Sequence, residues 1–141
     1  MPGVTGSDSA VIKSAIIFNR GDTMILSFSG MGDLTNRDNI WFTMKGDKDD
    51  ADTASLVQID EDTGLLYING AAAGVPGNGS ITVVDVIPGN LTVRLEAVES
   101  AKVACCTRTY YDLQVLYTDD TMLTPARGLA HLIGDITRAT S

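Results

Sequence analysis

The stretch Asn39-Ile40-Trp41-Phe42-Thr43-Met44-Lys45 puts Ile40, Phe42 and Met44 on one face of an extended chain and Asn39, Trp41, Thr43 and Lys45 on the other. A helix would scatter both sets around its axis, so this period of two predicts a β-strand with one face in a core. The alternation recurs. Met24, Leu26 and Phe28 alternate within residues 23–29, Leu91, Val93 and Leu95 within 91–96, and Tyr111, Leu113, Val115 and Tyr117 within 109–117. In the last of these runs Tyr110, Asp112, Gln114 and Leu116 fall on the opposite face.

Further short apolar runs lie at 13–18, 54–59, 65–68, 81–87, 122–124 and 129–136. Between them come clusters that favour turns: Asn19-Arg20-Gly21-Asp22, Asp60-Glu61-Asp62-Thr63-Gly64, Pro88-Gly89-Asn90 and Thr118-Asp119-Asp120-Thr121. The first two are expected to close hairpins. Residues 69–80 are too long for a tight turn and are expected to form a glycine-rich surface loop, while 97–104 have the composition for two turns of helix. About eight or nine short strands at roughly ten-residue spacing predict a β-sandwich or a barrel-like relative.

The chain has 141 residues, enough for one domain with a substantial core. Ten Lys and Arg against 18 Asp and Glu give a net charge of −8, and the basic residues are scattered, so no patch is available for a phosphate backbone. Nucleic acid is therefore not an expected partner. Nor is a membrane, because no apolar run approaches the ~20 residues of a spanning helix. The N-terminus lacks the basic and apolar regions of a signal peptide, and a soluble protein made in a reducing cytoplasm is expected. The two cysteines are the adjacent pair Cys105-Cys106, which are expected to be free thiols: neighbours in sequence form only a strained bridge and cannot by themselves build a metal site.

Little here points to catalysis. His131, the single histidine, lies in Ala130-His131-Leu132-Ile133, where a packing or strand-edge role is expected in place of general-base work. Arg20-Gly21-Asp22 spells an adhesion tripeptide, but a turn explains it without a receptor. The acidic run from Asp47 to Asp52 departs from the calcium-loop template. From Asp47, Ala51 stands at the fifth position, Asp52 where glycine belongs and Gln58 at the twelfth; from Asp60 the pattern also breaks. Solvated turn carboxylates are expected there, with no metal and no cofactor.

Several of these segments together resemble a known family. Asp33-Leu34-Thr35, Ile40-Trp41-Phe42-Thr43-Met44-Lys45 with its acidic turn, Thr63-Gly64, Leu91-Thr92-Val93, Tyr110-Tyr111-Asp112-Leu113-Gln114-Val115 and Gly134-Asp135-Ile136-Thr137-Arg138 occur in that order. The order resembles small structural proteins of tailed bacteriophages and is similar to the N-terminal domain of phage baseplate upper proteins. The resemblance covers about residues 13–138. It implies an all-β, immunoglobulin-like or jelly-roll-like β-sandwich with one short helix, residues 13–141, preceded by an extended N-terminal arm, residues 1–12. It also implies a non-enzymatic virion protein, docking as a homo-oligomer on the major capsid, neck or baseplate proteins as a cement, decoration or ring component. Val4, Val11 and Ile12 in the arm, Trp41 on its strand, and Val75 and Pro76 in the glycine-rich loop are the expected contact residues. The rival expectation is a carbohydrate- or receptor-binding sandwich in which Trp41, Tyr67, Tyr110 or Tyr117 stacks on a ligand.

Overall fold

A computed structural model of the chain describes residues 16–47, 49–103 and 108–133. The arm, with Val4, Val11 and Ile12, and the Cys105-Cys106 pair lie outside the described residues. The strands in chain order are β1 (Ile16–Asn19), β2 (Met24–Phe28), β3 (Arg37–Lys45), β4 (Val57–Asp60), β5 (Gly64–Ile68), β6 (Ala71–Ala72), β7 (Gly79–Asp85), β8 (Asn90–Leu95), β9 (Arg108–Tyr117) and β10 (Met122–Ile133). A single helical turn, α1 (Ala97–Ser100), links β8 to β9.

Seven strands form one sheet in the order β1-β10-β9-β3-β4-β5-β6, and three form the other in the order β2-β8-β7. Neighbours run antiparallel except for β1 and β10, which are parallel. With β10, β9 and β3 as strands G, F and C, β4 and β5 as the two further strands, β1 and β6 at the edges, and β2, β8 and β7 as B, E and D, the strand order is that of a variable-type immunoglobulin sandwich. The strand order replaces the jelly-roll alternative, whose eight strands are wound as two Greek keys.

The core follows the alternation. Ile40, Phe42 and Met44 of β3 and Leu113 and Val115 of β9 are all fully buried, facing Met24 and Phe28 of β2 and Leu91, Val93 and Leu95 of β8. Each such side chain withdrawn from water contributes about 1.5–3 kcal/mol. At the centre, Phe28 of the small sheet lies 6.2 Å, ring to ring, from both Phe42 and Tyr111, which are themselves 6.1 Å apart. In antibody domains a disulfide joins strands B and F and packs on a Trp of strand C, the strands equivalent to β2, β9 and β3. Here three aromatic rings occupy the junction.

Four expectations are corrected. First, the described residues form ten strands where about eight or nine are expected: β6 is new, and the run at 122–124 continues through residues 129–133 as one strand whose register shifts between Leu123 and Ala126. Second, the segment 69–80 is not one flexible loop. Asn69 and Gly70, both at positive φ, make a two-residue hairpin turn between β5 and β6, and a 3-10 turn at Pro76–Asn78 leads into β7. Asn-Gly is the residue pair that such a turn demands.

Third, Arg20-Gly21-Asp22 is not a hairpin turn, because β1 and β2 belong to different sheets. It is a corner pinned to the far end of α1: Arg20 Nε donates to the Val103 carbonyl at 2.7 Å and the Gly21 amide to Ser100 Oγ at 2.9 Å. The Ser100 hydroxyl in turn donates to the Asp22 carbonyl at 2.7 Å. Fourth, α1 is one turn and not two. Its Glu99 is 1 % exposed, accepts from Asn78 Nδ2 at 2.7 Å, and has Lys102 Nζ 3.2 Å from Oε1. That ion pair lacks hydrogen-bond alignment, so Oε1 itself accepts no hydrogen bond.

Gly64 and Gly89 are obligatory by contact. Gly89, at φ 91°, lies so close to the Gly32 backbone that a Cβ would meet its amide nitrogen at 2.7 Å and its carbonyl oxygen still closer. The approach lets Met31 and Gly32 donate their amides to the carbonyls of Gly89 and Pro88, each at 2.9 Å. This fastens the link between β2 and β3 to the β7–β8 turn.

Two substitutions test this architecture. Phe42→Ala removes a fully buried ring from the three-ring junction and is expected to cost about 3–5 kcal/mol in urea unfolding. Ser100→Ala strands one amide and one carbonyl of the Arg20-Gly21-Asp22 corner and is expected to cost about 1–3 kcal/mol. A loss under half a kcal/mol in either variant would contradict the role given to that residue.

Candidate ligand-binding face

The alternation that buries Phe42 and Leu113 turns their neighbours to the outer face of the large sheet. Register then assembles residues from distant parts of the chain. Arg127 of β10 stands opposite Asp112 of β9, which stands opposite Thr43 of β3, and Thr43 opposite Gln58 of β4. In the adjacent row Leu129, Tyr110 and Lys45 are aligned, and on the other side Gln114, Trp41 and Asp60.

Trp41 and Tyr67 are half-buried on this face. Two polar residues of β4 lie beneath the surface, each 5 % exposed. Gln58 Nε2 donates to Thr43 Oγ1 at 3.1 Å. Asp60 accepts from Asn39 Nδ2 at 3.0 Å and from the amides of Thr63 and Gly64 at 2.7 and 3.0 Å. Its carboxylate therefore shapes the β4–β5 turn, which is why an acidic residue is needed there. Next to it Glu61 forms a two-pronged ion pair with Arg37, with nitrogen–oxygen distances of 2.7–3.0 Å.

Between β3, β9 and β10 the face opens into a cleft of about 710 Å³. Lys45, Tyr110, Asp112, Gln114, Thr124 and Arg127 line it, with Thr43, Tyr111, Gly128 and Leu129 completing the walls. Thr124 lies in the register shift of β10. Lys45 Nζ is 2.8 Å from Asp52 Oδ1, so its charge is neutralised by the acidic turn. Asp112 has no such arrangement: no described residue donates a hydrogen bond to it. Burial pushes its carboxyl above the ordinary carboxylate range, Lys45 draws it back and Asp52 pushes it further up.

The other sequence-derived candidates are placed as follows. Trp41 is on the outer face of β3, whereas Val75 and Pro76 are exposed where the chain crosses from the large sheet to the small one. Those two places are distinct surfaces. Tyr110 reaches the cleft; Tyr117 instead donates its hydroxyl to the Asp33 carbonyl at 2.9 Å. His131 is exposed on β10, in register with Ile17 and Arg108.

In the acidic turn, Asp47 Oδ1 accepts from the Asp49 amide at 3.0 Å and Asp50 Oδ2 from the Asp47 amide at 3.2 Å. Among the described residues no three His, Cys, Asp or Glu side chains are grouped as a metal site, and no helix is long and apolar enough to cross a membrane. Alternation in the sequence places Tyr110, Asp112 and Gln114 on one face but does not place Arg127 beside them. The missing signal was the β9–β10 register, which a bulge displaces.

No family model and no curated protein matches this chain. Among solved structures it is similar to the NK cell receptor Nkp44, described as a triggering partner in natural cytotoxicity, at a TM-score of 0.48 and 10% sequence identity. The match covers 87% of this chain and 100% of that one. The sandwich assignment stands on the strand order itself.

The raised Asp112 has a consequence for stability. Its folded state holds the proton more tightly than the unfolded state, so ionisation costs stability as pH rises from the ordinary carboxylate range through the native value. Asp112→Asn is therefore expected to melt higher than the parent near about pH 7, with the gap closing as pH falls to roughly 3. Equal melting temperatures at both pH values would contradict the burial assigned to this carboxyl.

Proposed function

We propose that this chain is a non-enzymatic structural protein of a tailed-bacteriophage particle. It docks on larger virion proteins, as a capsid cement or decoration protein or as a neck or baseplate component, and assembles as a homo-oligomer. The ordered segments from Asp33-Leu34-Thr35 to the closing Gly134-Asp135-Ile136-Thr137-Arg138 support the particle assignment. The observation that carries docking is the outer face of the large sheet, where Trp41, Tyr67, Tyr110, Leu116 and Leu129 stand half-buried on a rigid support. Trp and Tyr anchors on a preorganised surface are the usual source of binding energy between proteins. A sandwich held by its own core loses little freedom on binding, so more of the contact energy appears as affinity.

A second reading, a carbohydrate- or receptor-binding module of the tail, is favoured by the cleft at Tyr110, Asp112 and Arg127. The two readings use neighbouring parts of one face and differ in the partner.

Cross-linking mass spectrometry on purified particles tests the first reading. Cross-links from the outer face to a capsid, neck or baseplate protein are expected, and particles that lack the protein altogether would sink the proposal. In a reconstitution with that partner, Trp41→Ala is expected to weaken docking by about tenfold or more, the scale of an interface anchor. Its melting curve serves as the control for folding.

A further inference from the structure

We propose that the cleft between β3, β9 and β10 binds a neutral sugar or other polyol through adjacent hydroxyl groups held between Asp112 and Arg127. The proposal rests on the second reading above and is independent of virion docking.

The argument starts from the charges. Lys45 is paired with Asp52 at 2.8 Å, which leaves Asp112 and Arg127 as the unpaired charges of the lining. They are of opposite sign and directly opposite each other across β9 and β10, yet neither forms a salt bridge or hydrogen bond with any described residue. An anionic ligand would meet the Asp112 carboxylate, and a cationic one would meet Arg127. A neutral ligand opposes neither.

Hydrogen-bonding capacity narrows the class further. An ionised carboxylate only accepts and a guanidinium only donates, so the ligand must offer donors to one and acceptors to the other over a short span. Hydroxyl groups do both, and two on adjacent carbons can donate to the two oxygens of one carboxylate. Gln114 and Thr124 add a side-chain amide and a hydroxyl, each able to donate and accept, while Tyr110 and Leu129 supply an aromatic and an aliphatic wall for the C–H face of a sugar ring. The volume, about 710 Å³, is within the range of small-molecule sites. Burying Asp112 without a hydrogen-bond donor costs stability, and a hydroxylated ligand would supply the missing donors.

The test is a titration of the ¹⁵N-labelled protein with the methyl glycosides of glucose, mannose and galactose. Methyl glucuronide and glucosamine serve as charged counterparts, and a neutral peptide amide as the non-sugar control. At least one neutral glycoside is expected to shift the amides of Tyr110, Asp112, Gln114 and Arg127 at millimolar concentration. Asp112→Asn is expected to weaken that binding by about tenfold, since charge-assisted hydrogen bonds are roughly twice as strong as neutral ones. Because the same substitution is expected to raise the melting temperature, lost binding cannot be assigned to unfolding.

Three outcomes overturn the proposal: preference for a charged counterpart, shifts with the peptide amide alone, or no shift in the cleft with any neutral glycoside. If the protein binds on a glycan array while its shifts map away from the cleft, this site is wrong and the second reading survives. If it binds no glycan there either, both fall.

Discussion

The contact among Phe28, Phe42 and Tyr111 is the constraint on which the rest of the molecule depends. One ring comes from the three-stranded sheet and two from the seven-stranded sheet, so the cluster spans the sandwich at its middle. Packing of this kind is short-ranged: a radial gap of 0.5–1 Å forfeits roughly a quarter to a half of the dispersion energy of a contact. The rings therefore fix both the spacing of the sheets and the side of β3 and β9 that faces inward. Where antibody domains use a disulfide, this chain achieves the same connection with apolar surface, which operates in any redox environment.

Once the inner faces are set, the outer face follows without further choice. A period of two means that every residue between two buried ones points away, so the burial of Met44, Tyr111 and Leu113 places Lys45, Tyr110 and Asp112 on the outer face. Edges and corners are then secured by polar contacts. Ser100 and Arg20 hold the sheet-crossing corner, Glu99 joins α1 to the 3-10 turn at Asn78, and Asp60 organises the β4–β5 turn. All of these groups sit at the ends or margins of the sandwich.

Asp112 is a side chain whose burial works against stability. A carboxyl raised by burial and lacking a hydrogen-bond donor weakens the fold that carries it. The surrounding residues reduce the cost without removing it, because Lys45 acts at a distance while its own ammonium is engaged by Asp52. Groups held in this condition tend to concentrate where a ligand is meant to complete their coordination. The neighbouring carboxylates offer a contrast: Asp60 is more deeply buried and accepts three hydrogen bonds, and so is a structural residue.

By itself the sequence determined that the chain is built of short strands, as a sandwich or a barrel-like relative, and which residues of β2, β3, β8 and β9 enter its core. Those features depend on residues two apart and are written into every alternating run. It also contained the Asn69-Gly70 hairpin signal, which reading the segment by composition alone obscured. The tertiary structure decided which strands pair, and hence that Arg20-Gly21-Asp22 is a corner between sheets, that Leu34 in the link between β2 and β3 is fully buried, and that Arg127 stands opposite Asp112. Side-chain alternation says which face a residue takes but not which neighbour it finds there. That second fact depends on register, and in β10 register is displaced by a bulge between Leu123 and Ala126 that the alternation of the flanking residues does not announce.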